Sequence, residues 1–194
     1  MTPLMTAVFE LDHEKLAGDP RFAEMAVALG DLSPIDSDEA FNRYCREACR
    51  LWRENFRNPI GETSPRFVEL LEQIERRSQS VIKTGWGGVV ITLHEHPRVE
   101  KFLVIREGGY LALEMHEQKD ERIGVREGAG LILWRRPNKR SLTVEILKPG
   151  ARFHLKPGME HCLIGTEDLL VFERSTDPKG MDQDLIFIYE PAGD

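Results

Sequence analysis

An α-helical N-terminal region followed by a mainly β domain, a barrel or a sandwich, is the fold class this sequence predicts. Three observations carry it. Over the first eighty or so residues, apolar side chains recur at three- and four-residue intervals. After "KTGWGG" (83–88) the pattern changes to short β segments divided by glycine, proline and charged turns. With 194 residues, 41% hydrophobic and 30% charged, the chain can bury a sizeable core without disulfide or metal staples. We divide it into a helical region, 1–82, packing on the barrel, and a β-barrel domain, 83–194.

The helices follow from their caps and stripes. In "SDEAFNRYCREACRLWRENFRN", Ser37 serves as N-cap, and Phe41, Tyr44, Cys45, Ala48, Leu51, Trp52 and Phe56 form one apolar face with charges opposite. In "TSPRFVELLEQIERRSQSV", Ser64 caps, Pro65 suits the first helical position, and Phe67, Leu70, Leu71 and Ile74 make the stripe. A weaker helix covers Pro20–Leu29. The β segments are Val89–Leu93, Lys101–Arg106, Tyr110–His116, Arg122–Arg126, Leu131–Arg135, Leu142–Leu147, Arg152–Leu155, Cys162–Ile164, Leu169–Arg174 and Leu185–Tyr189. "PNKR" (137–140) reads as a hairpin turn. So many short, closely spaced strands suit a sandwich or a barrel.

Composition narrows the partners. A net charge of −7 argues against a nucleic-acid or anionic-membrane binder, which needs a basic face. No apolar run approaches a membrane span, and "MTPLMTAVFELDHEKLAGD" lacks the basic and apolar regions of a secretion signal. Three cysteines, without CxxC spacing, point to reduced, mostly buried thiols in the cytoplasm.

The informative stretch is "GGYLALEMHEQKDERIGVREG" (108–128). Gly108, five residues, Glu114-Met115-His116, four residues, Glu121, six residues and Gly128 succeed one another. Further on come Gly150, five residues, Lys156-Pro157-Gly158, two residues, His161, three residues and Gly165. Residues 114 and 116 share a strand face, and Glu121 shares the next with Ile123 and Val125, while Arg122 and Arg126 point away. Two imidazoles and two carboxylates suit one divalent ion, Mn²⁺, Fe²⁺, Ni²⁺ or Zn²⁺. Without a metal, two inward carboxylates cost several kcal/mol or protonate. "VVITLHEHPRVE" offers a rival copy with both histidines, but Pro97 interrupts it, and His94 and His96 read as exposed turn residues.

Those spacings resemble the two motifs of the cupin superfamily, with Glu114 standing where the first motif has a histidine, and Lys156 and Gly165 replacing a proline and an asparagine of the second. The resemblance implies a cupin-type double-stranded β-helix, a jelly-roll barrel, with Glu114, His116, Glu121 and His161 as metal ligands. Within the superfamily the β half is most similar to the cupin domains of mannose-6-phosphate isomerases: "TGWGG" precedes the strand, and Glu114 takes the place of a ligand glutamine. Phe187 stands where those enzymes carry an arginine.

The function this implies is a metal-dependent cupin, an aldose–ketose isomerase acting on a sugar or sugar phosphate, with the metal as Lewis acid and a carboxylate or lysine moving the proton. Glu173, on a face with Leu169 and Val171, and Lys101 are the candidate catalytic residues; Glu173 is the better inward candidate, and Lys101, which begins a strand, reads otherwise as an edge gatekeeper. Lys119 reads as a solvated loop charge. His154 either lines the pocket or is a partly exposed strand histidine. Two other classes stay open, a non-catalytic cupin binding a sugar or other small molecule and a cupin dioxygenase. Finally, Tyr110, Ala112, Glu114 and His116 are expected to face inward, which turns Leu111, Leu113 and Met115 outward as an apolar patch. The N-terminal helices or a second subunit must cover it, and we expect a homodimer.

Overall fold

The structure is a computed structural model that describes residues 8–56 and 64–190. The first seven residues, on which the reading of the N-terminus partly rests, lie outside it. In chain order the elements begin with strand β1 (Leu11–Asp12), helix α1 (Glu14–Ala17), a 3-10 turn (Pro20–Phe22) and helices α2 (Ala23–Gly30), α3 (Asp38–Asn55) and α4 (Pro65–Glu75). Eleven strands follow: β2 (Ser80–Thr84), β3 (Gly87–Glu95), β4 (Arg98–Ile105), β5 (Leu113–His116), β6 (Asp120–Glu127), β7 (Gly130–Arg135), β8 (Leu142–Leu147), β9 (Arg152–Leu155), β10 (Glu160–Gly165), β11 (Leu169–Thr176) and β12 (Leu185–Tyr189).

They form two six-stranded sheets, ordered β1-β8-β7-β10-β5-β12 and β2-β3-β4-β11-β6-β9. All pairings are antiparallel except β1 with β8. The jelly roll that the resemblance implies is present. The strand reading missed β1 and β2, and β2 crosses the 82/83 boundary to pair with β3 through Ser80↔Ile91 and Thr84↔Gly87. Motif glycines Gly108, Gly128, Gly150 and Gly158 all have positive φ. At Gly128 a Cβ would also lie 1.8 Å from the Asp168 carbonyl oxygen, so only glycine fits the β6–β7 corner.

Helix α3 forms where its sequence directs. The Ser37 side chain accepts a hydrogen bond from Ala40 N (3.2 Å), and Asp38 and Glu39 complement the positive helix start. Its buried face, from Ala40 to Trp52, packs on the outer face of the first sheet in one core with Leu113, Leu131, Leu133, Val144, Cys162 and Ile164. Phe41 meets Tyr110 and Tyr189 edge-on at 5.0 and 5.4 Å, while Tyr110 Oη donates to Asn42 Oδ1 and Tyr189 Oη to Asp38 Oδ1, both at 2.6 Å. Ser64 makes no side-chain cap bond, so Pro65 alone marks the start of α4.

The apolar patch expected on the opening strand needs correction. The regular strand starts only at Leu113, and the inside–outside alternation breaks just before it. Tyr110 therefore turns to the helices, and Leu111 joins the barrel-interior core with Leu103, Ile105, Ile123 and Val125. Leu113 does face outward, but the helical layer buries it within one chain. The argument for a dimer from this patch falls away. All three cysteines are free and buried.

Candidate metal centre and its cavity

Inside the barrel, chemistry changes from one end to the other. Strands β4, β6 and β11 present Ile105, Leu103 and Lys101; Val125, Ile123 and Glu121; and Leu169, Val171, Glu173 and Ser175 on their buried faces. Because these strands are in register (Val171↔Leu103, Glu173↔Lys101, Ser175↔Glu121), the apolar residues share one end and the charged ones the other. From the facing sheet, β10 pairs with β5 at His161↔Glu114, and β5 carries His116 two residues on. The charged end opens into a cavity of about 500 Å³ whose lining includes Trp86, Glu114, Glu121, His161, Glu173 and Phe187.

The four expected ligands meet here. His161 Nε2 lies 3.4 Å from Glu121 Oε2 and 3.9 Å from Glu114 Oε1, and His116 Nε2 lies 3.7 Å from Glu121 Oε1. The two imidazole centroids are 6.3 Å apart. His116 Nδ1 is held at 2.8 Å by Asp184 Oδ1, which fixes the ring with Nε2 toward the other donors, as carboxylates behind the ligand histidines do in metal sites. Met159 O lies 3.2 Å from His161 Nδ1 and serves that ring in the same way.

Lys119 was misjudged as a loop charge. Its side chain is 1% exposed, with Nζ 2.5 Å from Glu121 Oε1, 2.6 Å from Asp182 Oδ1 and 2.8 Å from Glu173 Oε1. Lys101 is not an edge residue, since β4 lies between β3 and β11; its buried Nζ is 2.7 Å from Asp182 Oδ2 and 3.4 Å from Glu173 Oε2. Glu173 faces inward, 3% exposed. Sequence reasoning missed Asp182 and Asp184, both on the loop into β12. His154 lies outside, exposed and 2.7 Å from Asp120 Oδ2. His94 and His96 are exposed.

Electrostatics separates the carboxylates. Burial pushes Glu114 up to about 7, opposed by His161. Burial also raises Glu173, opposed by the nearby Lys101. Burial acts on Glu121 too, but His161 and Lys119 together hold it at about 2. Asp182 is likewise lowered, because Lys101 and Lys119 outweigh its burial.

Does this set suit a divalent ion? Among the described residues, no three His, Cys, Asp or Glu side chains close on a single point as a bound metal requires; Lys119 Nζ sits against Glu121 instead. The donor chemistry nevertheless fits. Two oriented imidazole nitrogens face two carboxylates, and among the described residues Glu121, Glu173 and Asp182 share the ammonium groups of Lys101 and Lys119, while Glu114 faces His161. Carboxylates outnumber ammonium groups in this cluster, so in its ionised form it attracts a further cation.

No protein-family model matches this sequence, and neither does any curated protein. Solved structures do. The capsular polysaccharide assembling protein CapF from Staphylococcus aureus matches with a TM-score of 0.51 at 15% identity, over 57% of this chain and 32% of CapF. CapF with the inhibitor 3-isopropenyl-tropolone also gives 0.51 at 15%, over 57% and 34%. The chain has the cupin fold. An oxalate decarboxylase from Lactobacillus farciminis, in complex with formate, gives 0.47 at 16%, over 56% and 33%. The chain spans about a third of the length of CapF, and the likeness is one of fold.

Proposed function

We propose that this cupin binds one divalent metal ion through Glu114, His116, Glu121 and His161 and works as an aldose–ketose isomerase on a small sugar in the cavity above. The observation that carries the reading is the buried cluster in which Glu121 joins the two histidines to Lys119, Glu173, Asp182 and Lys101 at the cavity floor. Interconverting an aldose and a ketose moves one proton between neighbouring carbons and another between their oxygens. A divalent ion bound here would polarise the carbonyl and hydroxyl oxygens of the substrate.

The chain's own residues handle the protons. Glu173, raised by burial, has an oxygen, Oε1, that lies 2.8 Å from Lys119 Nζ yet outside hydrogen-bond geometry. In its ionised form that carboxylate takes the proton from one carbon, and the carboxylic acid so formed returns it to the next. Lys101 Nζ, 3.4 Å from Glu173 Oε2, orients it and keeps a donor near the substrate's oxygens. The apolar lining, with Leu103, Ile123 and Leu163, limits water around the transferred proton. A free sugar fits better than a phosphate: among the described residues the lysine lining the cavity, Lys101, is bonded to Asp182, and Phe187, 51% exposed, stands where the mannose-6-phosphate isomerases that the sequence resembles carry arginine.

Purified protein should carry one divalent ion per chain by elemental analysis, and should turn over at least one aldose in a panel, with loss on chelation and recovery on adding Mn²⁺ or Zn²⁺. Full metal occupancy in a protein with His116, Glu121 and His161 all replaced by alanine would remove the site. The absent arginine favours a second reading, a non-catalytic sugar-binding cupin. A melting temperature raised by sugars, with no turnover across the panel, would select it.

A further inference from the structure

Glu121 is claimed from two sides. Its Oε2 faces His161 Nε2 at 3.4 Å, and its Oε1 faces His116 Nε2 at 3.7 Å while accepting a 2.5 Å hydrogen bond from Lys119 Nζ. Lys119 reaches that oxygen from the β5–β6 turn, and its position is fixed at both ends. Its backbone N donates to Asp184 Oδ2 at 2.9 Å, the carboxylate whose other oxygen holds His116. Its Nζ also donates to Asp182 Oδ1 at 2.6 Å and pairs by charge with Glu173 Oε1 at 2.8 Å. A buried lysine this tightly held cannot swing out to solvent, so any second cation using Glu121 must share the carboxylate with an ammonium already there.

We propose that Lys119 is a built-in counter-ion of the metal centre: it keeps the site assembled when no metal is bound, and weakens metal binding by competing for Glu121. The inference rests on the metal-binding reading and extends it to how firmly the metal is held. Lys119 is a positioning residue in this role, because it acts on the metal through Glu121. Each half follows from the same contacts. With neither a metal nor Lys119, Glu121, Glu173 and Asp182 would be three buried carboxylates with Lys101 alone against two of them, and such clusters open or protonate. With a metal, two like charges share one carboxylate in a poorly solvated place, and each weakens the other. Lys101 provides the internal control. It carries the same charge and contacts Asp182 and Glu173, but the described contacts include none from it to Glu121.

The test compares full-length wild type, Lys119→Met and Lys101→Met after chelator treatment, titrated with Zn²⁺ and with Mn²⁺ by calorimetry, with melting temperatures taken alongside. Lys119→Met should bind Zn²⁺ at least tenfold more tightly than wild type and melt lower when metal-free, with the melting deficit erased by saturating Zn²⁺. Lys101→Met should move the affinity less. Equal or weaker Zn²⁺ binding by Lys119→Met would overturn the competition while leaving the metal reading intact. Absence of Zn²⁺ and Mn²⁺ binding by all three proteins would sink both. Should Lys119→Met fail to fold, ¹⁵N-lysine NMR of the wild type decides: the slowly exchanging ammonium signal of Lys119 should shift on Zn²⁺ addition, and a signal unmoved at full Zn²⁺ occupancy overturns the proposal.

Discussion

The two faces of the sheet containing β5 and β10 are built on opposite principles. Toward the helices, Leu113, Cys162 and Ile164 join an apolar and aromatic core with α3. Toward the barrel axis, the alternating neighbours Glu114 and His161 face a cluster of buried charges. The same strands thus do two jobs, one residue out of phase. The outer face supplies apolar burial, the main stabilising term in folding. The inner face holds carboxylates that would be cheaper to replace with apolar residues, and such burial persists in proteins where it serves a site.

The largest expected effect tests the outer face. Leu113→Asp places an unpaired carboxylate in the helix–sheet core and should cost more than about 4 kcal/mol, enough to abolish soluble folded protein. Recovery of a folded, soluble variant would show that the helices do not seal this face. Next, Leu131→Ala, in the same core and fully buried, should lower stability by about 2–5 kcal/mol in urea unfolding while leaving metal content unchanged. His161→Ala should do the reverse, losing metal with a smaller change in the unfolding midpoint of the metal-free protein. Parallel losses in both variants would erase the division between the faces.

A smaller effect depends on pH. Glu114 binds its proton more tightly folded, at about 7, than at its ordinary value of 4.5. The stability this contributes is therefore complete below 4.5 and is lost as pH rises toward 7, about 3 kcal/mol in all. In chelator-treated protein, Glu114→Gln should be less sensitive to pH than wild type across that window, gaining on it as pH rises. Identical melting profiles from pH 4.5 to 8 would contradict the assigned burial. Smallest of all, Ser37→Ala removes the α3 cap and should cost about 1 kcal/mol without touching the site.

Which parts were legible in the sequence follows from how each residue reaches the site. Glu114, His116 and Glu121 sit on strands, whose period of two turns spacing into direction, and His161 opens another strand with recognisable glycines around it. Glu173 was legible for the same reason, since Leu169 and Val171 mark its face, whereas Lys101, taken as the first residue of a strand, gave no direction until β3 and β11 were seen to flank β4. Lys119, Asp182 and Asp184 come from turns, where sequence period says nothing about direction. "HEQKDE" looks solvated until β12 folds back and the loop before it brings two carboxylates over that turn. The same limit explains Leu111. Alternation was extrapolated through residues 110–112, which the chain crosses without regular strand geometry.

The three thiols have a further use. Cys45 and Cys49 lie on α3 and Cys162 on β10; Cys49 Sγ donates to Gly165 O and Cys162 Sγ to Leu111 O. Burial pushes all three upward from the ordinary thiol range, so none offers a thiolate to solvent while the helix is seated. An alkylating reagent can reach them only when α3 lifts from the barrel. The rate of modification therefore clocks that lifting, with natural probes on both sides of the seam and no engineered label required.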